Sequence, residues 1–231
     1  MRLFDRWWHE TRRVGRALLL ASCLAAGVLA AGAALTAPTG PASAVAPAML
    51  YAVEMAIPLV AGVTAACVVG RDPAVELHLT LPAGYRGTLM RRWAVALAAS
   101  ALPAVAICAA LMASGWWARW PRTHGVLLGQ LTWASPLAWL SGLGLLSAAV
   151  LRSPAAAATV VLTPWLLDQL LPDQVGAHRW SRMLYLFATT GGHGAEWMTN
   201  RLILLTTAVG LASSAWLLLG RTARLLGGDS E

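Results

Sequence analysis

Few residues in this chain could carry out chemistry, and their types exclude several classes of reaction. Lysine is absent, because all 17 basic residues are arginine. A P-loop needs a lysine to contact the phosphates, and Schiff-base enzymes need a lysine amine. This sequence therefore cannot bind ATP in a P-loop, form a Schiff base with a substrate or hold pyridoxal phosphate.

Cysteine and histidine do not form the patterns of a metal site or a nucleophile. Cys23, Cys67 and Cys108 lie in apolar segments and have neither zinc-ligand spacing nor an even count. The five histidines have no histidine partner four residues away, and neither H-E-x-x-H nor G-x-S-x-G occurs. We predict no catalytic residue, no metal and no cofactor, so the chain is not expected to be an enzyme.

One carboxylate stands out because it lies inside a long apolar segment. Glu54 has Tyr51 about one helical turn before it and Pro58 one turn after it. An ionisable group within a membrane span costs about 2.5 kcal/mol or more and is a functional candidate by default. The alternative is a structural carboxylate that is neutral or hydrogen-bonded to a neighbouring helix. Under both hypotheses Glu54 should face protein or a polar pathway, not lipid.

Composition predicts an all-α membrane protein. Hydrophobic residues make up 58% of the chain and charged residues only 12%, whereas a soluble domain carries about 25% charged residues. A membrane span needs about 20 mostly apolar residues. Six segments of a single transmembrane domain, residues 1–231, meet this requirement. These predicted spans are residues 17–36, 47–69, 93–115, 126–151, 154–171 and 202–219.

Arginine distribution predicts the orientation of these spans. With six spans, twelve arginines fall on one side of the membrane and five on the other, and the loop of residues 37–46 is uncharged. Positive charge is retained in the cytoplasm, so both termini are predicted to be cytoplasmic. The arginines lie in short stretches between apolar segments, so the net charge of +7 does not indicate nucleic-acid binding.

Two connections are too long and too apolar to be simple turns. In the inner connection, residues 70–92, Asp72 could cap a short amphipathic helix with Pro73 at its first position. The outer connection, residues 172–200, has an apolar part followed by Gly191, Gly192 and Gly194. It predicts an extracellular or re-entrant helix over residues 180–196, and the alternative is a solvated loop.

Small residues predict where helices approach one another. Gly144 and Ala148 lie on one side of the fourth predicted span, and Gly27, Ala31 and Ala34 lie on one side of the first. Helices in lipid associate through close backbone contact, which small residues permit.

The inner connection resembles the corresponding loop of ABC-2-type exporter permeases. Residues 76–82 read Glu-Leu-His-Leu-Thr-Leu-Pro, and Tyr85 to Leu89 and the pair Arg91-Arg92 then lead into the third span. That family typically has an acidic residue, a few apolar positions, Leu-x-Leu-Pro and a basic stretch here. The resemblance implies a cytoplasmic coupling helix that contacts an ATPase subunit. It also implies six spans with both ends inside, an amphipathic N-terminal helix, here residues 4–16, and a helical excursion between spans five and six.

The resemblance further implies a function. The chain would be the permease subunit of an ATP-binding cassette exporter in a bacterial cell membrane, paired with a second permease, while a partner ATPase binds the ATP. The expected coupling residues are Arg71, Asp72, Glu76, Leu77, Leu79, Leu81, Pro82 and Arg86. One alternative is a non-transporting assembly or regulatory subunit of a larger membrane complex. Another is a membrane enzyme acting on lipids.

Overall fold

The computed structural model describes residues 16–36, 41–70, 85–119, 125–191 and 196–227. These residues form helices and turns, with no strand among them, in agreement with the predicted all-α class. A π-helical turn, Ala52–Ala56, joins α2 to α3, and a 3₁₀ turn, Leu128–Gln130, precedes α6. The α-helices are α1 (Arg16–Thr36), α2 (Pro41–Tyr51), α3 (Ile57–Gly70), α4 (Tyr85–Ala113), α5 (Trp116–Arg119), α6 (Leu131–Leu151), α7 (Pro154–Leu170), α8 (Pro172–Ala177), α9 (Arg179–Arg182) and α10 (Trp197–Gly227).

Four helical stretches of the described chain are long and apolar enough to cross a membrane. They are Ala44–Val68, Arg86–Ala113, Leu128–Leu151 and Trp197–Gly220, and α1 adds a shorter apolar stretch, Leu20–Leu35. Many large apolar side chains lie on the outside, Leu24, Val28 and Leu102 among them. An all-helical bundle with an apolar exterior fits a membrane protein.

Helix α6 is the centre of the bundle, with α2–α3, α7 and α10 packed around it. Its glycines permit very close contact: a Cβ at Gly144 would overlap the carbonyl oxygen of Gly62 in α3. A Cβ at Gly142 would lie 3.2 Å from the carbonyl oxygen of Ala208 in α10. Ala148 is buried in the same helix. The predicted small-residue contacts of this helix are therefore present, whereas a Cβ at Gly27 in α1 would meet open space.

The α6–α7 connection is short because both helix ends are satisfied locally. Arg152 adopts a left-handed conformation with φ 52°, and its N–H donates to the carbonyl of Ala148. Ser153 then caps α7, accepting a hydrogen bond of 3.3 Å from the N–H of Ala156, and Pro154 occupies the first helical position. These are the usual signals that end one helix and begin the next.

Several helix boundaries differ from the sequence-based prediction. The third predicted span started at residue 93, but α4 begins at Tyr85 and includes the basic stretch before it. The sixth was predicted over residues 202–219, but α10 runs from Trp197 to Gly227. Arginine is a good helix former and can extend its charge to the interface, so a helix continues beyond its apolar part.

The outer connection is helical only at its beginning. The prediction of a helix over residues 180–196 is wrong for residues 183–191, which form turns and contain no regular helix. Tyr185, Leu186, Phe187, Ala188 and Thr189 of this stretch are buried nonetheless. The whole stretch of residues 183–191 is called the inserted segment below.

Candidate functional site: a buried ion pair beneath the inserted segment

Glu54 lies at the centre of a buried polar cluster. Its side chain is 0% exposed and pairs with the guanidinium of Arg201. The backbone N–H groups of Thr189 and Thr190 each donate to the Glu54 carboxylate at 2.8 Å. The carboxylate thus accepts three hydrogen bonds, two of which come from the inserted segment. Glu54 faces protein, as its position in an apolar segment requires.

Pro58 explains the local backbone at Glu54. Proline has no N–H, and its ring in an α-helix would clash with the carbonyl four residues earlier, which here belongs to Glu54. The chain widens into the π-turn, in which the N–H of Ile57 donates to the carbonyl of Ala52. π-Turns inside α-helices are frequent at functional sites. The indole N–H of Trp165 in α7 donates to the carbonyl of Met55, at 3.1 Å.

Arg201 supplies the positive charge from the first turns of α10. Its side chain is 0% exposed, and besides Glu54 it donates to the carbonyl of Leu186 and to Oγ1 of Thr189, each at 2.9 Å. Taking a charge out of water costs several kcal/mol unless it is paired and hydrogen-bonded. Both members of this pair meet that condition, and the same bonds attach the inserted segment to α10.

Asn200, beside Arg201, binds the backbone at the start of the inserted segment. Its side-chain amide donates to the carbonyls of Arg182, Met183 and Tyr185 at 3.0, 3.1 and 2.9 Å. Met183 and Tyr185 lie in non-helical backbone, whereas Arg182 ends α9 and its carbonyl also accepts the N–H of Tyr185. Backbone polar groups in an apolar surrounding need such partners. One amide therefore replaces part of the hydrogen bonding that a regular helix would have supplied.

Asp168 binds the inserted segment from α7. It is 8% exposed, and its Oδ2 accepts the N–H of Leu186 at 2.9 Å. Thr132, just inside α6, lies 3.5 Å from Thr189 through their hydroxyl oxygens. Polar side chains from four different helical segments thus converge on one short stretch of irregular backbone.

Aromatic packing completes the site. Phe187 meets Trp165 and Tyr185 edge to face, with ring centroids 6.0 and 5.9 Å apart. Burial, reinforced by the negative charges of Asp168, Glu54 and Asp173, raises the pKa of Tyr185 to about 12. The phenol therefore stays neutral at physiological pH. A Cβ at Gly191 would lie 2.6 Å from the Tyr185 hydroxyl, so the segment also packs closely against itself.

The roles of two members of this cluster are not evident from the sequence. Arg201, one of the five arginines that the six predicted spans leave on the outer side, is fully buried in α10. Asp168, near the outer end of the fifth predicted span, accepts the N–H of Leu186. The available signal was complementary charge: Glu54, Asp168 and Arg201 lie within or directly beside apolar segments.

Most of the predicted coupling residues lie outside the described residues. These are Arg71, Asp72, Glu76, Leu77, Leu79, Leu81 and Pro82. Arg86 is described, in the first turn of α4, where its guanidinium carbon lies 5.5 Å from the ring centroid of Trp216 in α10. The structure does not bring Arg86 and Glu54 together: Arg86 lies in α4 beside Trp216, whereas Glu54 lies in the π-turn and pairs with Arg201.

Metal and disulfide chemistry are not indicated by the described part of the chain. No group of three or more His, Cys, Asp or Glu side chains there could hold a metal ion. Cys23, Cys67 and Cys108 are free thiols. The polar cluster consists of an ion pair and of hydrogen bonds to backbone groups and to Thr189, and its direct effect is to hold the inserted segment among the helices.

Comparison with known proteins returns no match to any family model, curated protein or solved structure. The fold and the site define the class at a coarser level. In its described part, the chain is helical without strands, with four helices that fit membrane spans and a buried ion pair between two of them.

Proposed function

We propose that this chain is the membrane permease subunit of an ATP-binding cassette exporter, forming the pathway with a second permease and driven by a separate ATPase subunit. The observation that carries the proposal is the residue pattern of the 70–92 connection, with Glu76, the leucines and Pro82 followed by a basic stretch. The absence of lysine agrees with it, because the energy must then come from another chain.

The beginning of α4 at Tyr85 supports a mechanical role for this connection. Arg86, Arg91 and Arg92 lie on a helix that continues without interruption to Ala113. Movement imposed on the connection would pass directly into a membrane span, because a helix transmits displacement along its axis. Arg86 is also placed against Trp216 and the backbone at Gly220, so α10 would move with α4.

The proposed topology has six spans, adding α1 and α7 to the four long helices, with both termini in the cytoplasm of a bacterial cell. The 17 residues of α7 are about 25 Å long, whereas the hydrocarbon core is about 30 Å thick. Local thinning of the bilayer accommodates such a mismatch at modest cost. The uncharged residues 37–46 and the inserted segment would then lie toward the outside.

Cysteine labelling tests this topology. After replacement of Cys23, Cys67 and Cys108, single cysteines are introduced as Gly40→Cys and Asp229→Cys. We expect a membrane-impermeant maleimide to label position 40 in intact cells and position 229 only after lysis. Labelling of both positions from the same side would refute six spans.

A second candidate is a non-transporting assembly or regulatory subunit of a larger membrane complex. The observation that favours it is that Glu54 and Arg201 pair with each other at 0% exposure. Charges that serve transport usually face a cavity or a pathway. Under this alternative the ion pair is purely architectural and no ATPase is needed.

Co-purification distinguishes the two functions. The permease proposal expects a nucleotide-binding subunit in the purified complex, with Leu79 and Leu81 as apolar anchors in a groove of that subunit. Leu79→Asp or Leu81→Asp should release it, because buried anchors commonly contribute about 2 kcal/mol or more to binding. Arg86→Ala should weaken the association less.

The matched control is Leu127→Asp, the same change at an exposed leucine before α6. It should leave the ATPase bound. Release by the control, retention after both loop substitutions, or a purified complex without any nucleotide-binding subunit would contradict the permease proposal.

A further inference from the structure

A groove of about 470 Å³ lies between α1, the α2–α3 helix and α7. This volume is within the range of about 300–1,000 Å³ that holds small ligands. Its wall is mostly apolar, formed by Leu29, Met55, Leu59 and Trp165 among others. No lining residue carries a charge. The groove therefore suits an uncharged apolar chain.

The groove has a polar end and an apolar end. Val161 of α7 lies near Gly62 of α3, while Gln169, two turns later, reaches back to Met55. The two helices are thus antiparallel, which puts Gln169 and Tyr51 at the same end of the groove. The groove residues on the α2–α3 helix run from Tyr51 to Val60, a length of about 13 Å. This is less than half of the thickness of the hydrocarbon core, which is about 30 Å.

The two groups at the polar end lack strong partners within the described chain. The amide of Gln169 donates to the sulfur of Met55 at 2.9 Å, and a thioether is a weak acceptor. Tyr51 is 43% exposed, and its hydroxyl has no hydrogen bond to another described residue. Both line the groove, and both carry hydrogen-bond donors for the carbonyl oxygen of a ligand.

We propose that this groove binds one acyl chain of a bilayer glycerolipid, with the ester carbonyl of that chain at Tyr51 and Gln169. The apolar length of the groove takes the hydrocarbon, and the two donors take the only polar group that such a chain carries. On α1, Leu24 and Val28 are exposed and directly precede the groove residues Ala25 and Leu29. The bilayer that covers this part of α1 supplies the ligand. The proposal needs no ATPase and is independent of the permease function.

Photo-crosslinking with a defined lipid tests the site. The purified full-length chain is placed in nanodiscs containing a phosphatidylcholine with a diazirine in one acyl chain, and adducts are located by mass spectrometry after irradiation. We expect adducts at Leu29, Met55, Leu59 and Trp165 to exceed those at Leu102 and Leu217, which are exposed elsewhere on the bundle. Equal labelling of the groove and of those two leucines overturns the proposal.

Variants and a lipid analogue sharpen the result. Ala25→Trp fills the groove from α1 and should abolish the excess labelling, whereas Ala106→Trp, on an exposed position of α4, should not. Tyr51→Phe removes only a hydroxyl and therefore perturbs the fold less than Ala25→Trp. It should reduce groove labelling by up to about fivefold, the effect of one net hydrogen bond.

A phosphatidylcholine analogue with an ether in place of the ester lacks the carbonyl and should show the same reduction. Unchanged labelling with both Tyr51→Phe and the ether lipid would overturn recognition of the ester. Co-purification of an ATPase is unaffected by any of these changes, so failure here is distinguishable from failure of the permease proposal.

Discussion

The two sides of the α2–α3 helix are held in different ways. On one side Gly62 meets Gly144 of α6 at backbone distance, and Glu54 pairs with Arg201 and binds the inserted segment. A separate part of its surface lines the apolar groove, between α1 and α7. Between α1 and α4 the structure has a buried hydrogen bond of 3.0 Å from Ser22 to Ser100.

This difference reflects the absence of a hydrophobic driving force between helices in lipid. Lipid tails are as apolar as leucine, so helices associate through close packing and hydrogen bonds. The α6 side has both, in a glycine contact and a cluster of buried polar groups. On the groove side, Trp165 and Gln169 of α7 donate hydrogen bonds to Met55, but no buried ion pair is present among the lining residues. The remaining apolar surface can be covered equally well by an acyl chain. The predictions below test this contrast, beginning with the largest expected effect.

Removing one member of the ion pair should cause the largest loss of stability. Arg201→Met leaves the Glu54 carboxylate buried without its counter-charge, and such changes cost about 3–5 kcal/mol. The measurement is reversible unfolding in mixed micelles with SDS as denaturant. The double variant Glu54→Gln with Arg201→Met should be more stable than Arg201→Met alone, because no unpaired charge then remains.

The control is Arg179→Met. Arg179 is 76% exposed and lies 3.7 Å from Glu196. Exposed pairs of this kind contribute about 0–1 kcal/mol. If Arg179→Met and Arg201→Met had equal effects, burial of the pair would not be what holds this side of the helix.

A methyl group at the α3–α6 contact should have the next largest effect. Gly144→Ala places a Cβ against the carbonyl group of Gly62 and the backbone nitrogen of Ala66. These are backbone atoms of α3, which cannot move independently of the helix. Overpacking of this kind costs about 1–3 kcal/mol. The same unfolding experiment measures it.

Gly27→Ala is the matched control on α1. Nothing lies within 4 Å of the added Cβ, and alanine in a helix interior is favoured over glycine by about 0.8–1.0 kcal/mol. The two Gly→Ala substitutions should therefore have opposite signs. A destabilising effect at both positions would show that α1 is packed as closely as α6.

The smallest expected effect is at the Ser22–Ser100 hydrogen bond. A double-mutant cycle of Ser22→Ala and Ser100→Ala should give a coupling of about 0.6 kcal/mol, the average for interhelical hydrogen bonds in membranes. Thr206→Ala is the control, because the Thr206 hydroxyl bonds only to the Ile203 carbonyl of its own helix, at 3.0 Å. A coupling comparable to that of the Glu54–Arg201 pair would remove the contrast between the two sides.

The sequence by itself determined the helical class and the positions of the long apolar helices. This is possible because a run of about 20 apolar residues has few alternatives to a helix when water is absent. Small residues at Gly144 and Ala148 and the exclusion of a P-loop were likewise readable from residue type alone. Glu54 was recognisable as a residue that must face protein, because one carboxylate in such a run needs a partner.

Only the tertiary structure decided which partner that is. Arg201 is 147 residues away from Glu54, and nothing in its local sequence distinguishes it from a solvated arginine at the end of a span. The burial of residues 183–191 was equally hidden, because this stretch has no helical period and is stabilised by Glu54, Asp168 and Asn200 from three other parts of the chain. Local sequence sets helix formation, whereas compensation of buried charge and of irregular backbone depends on which helices become neighbours.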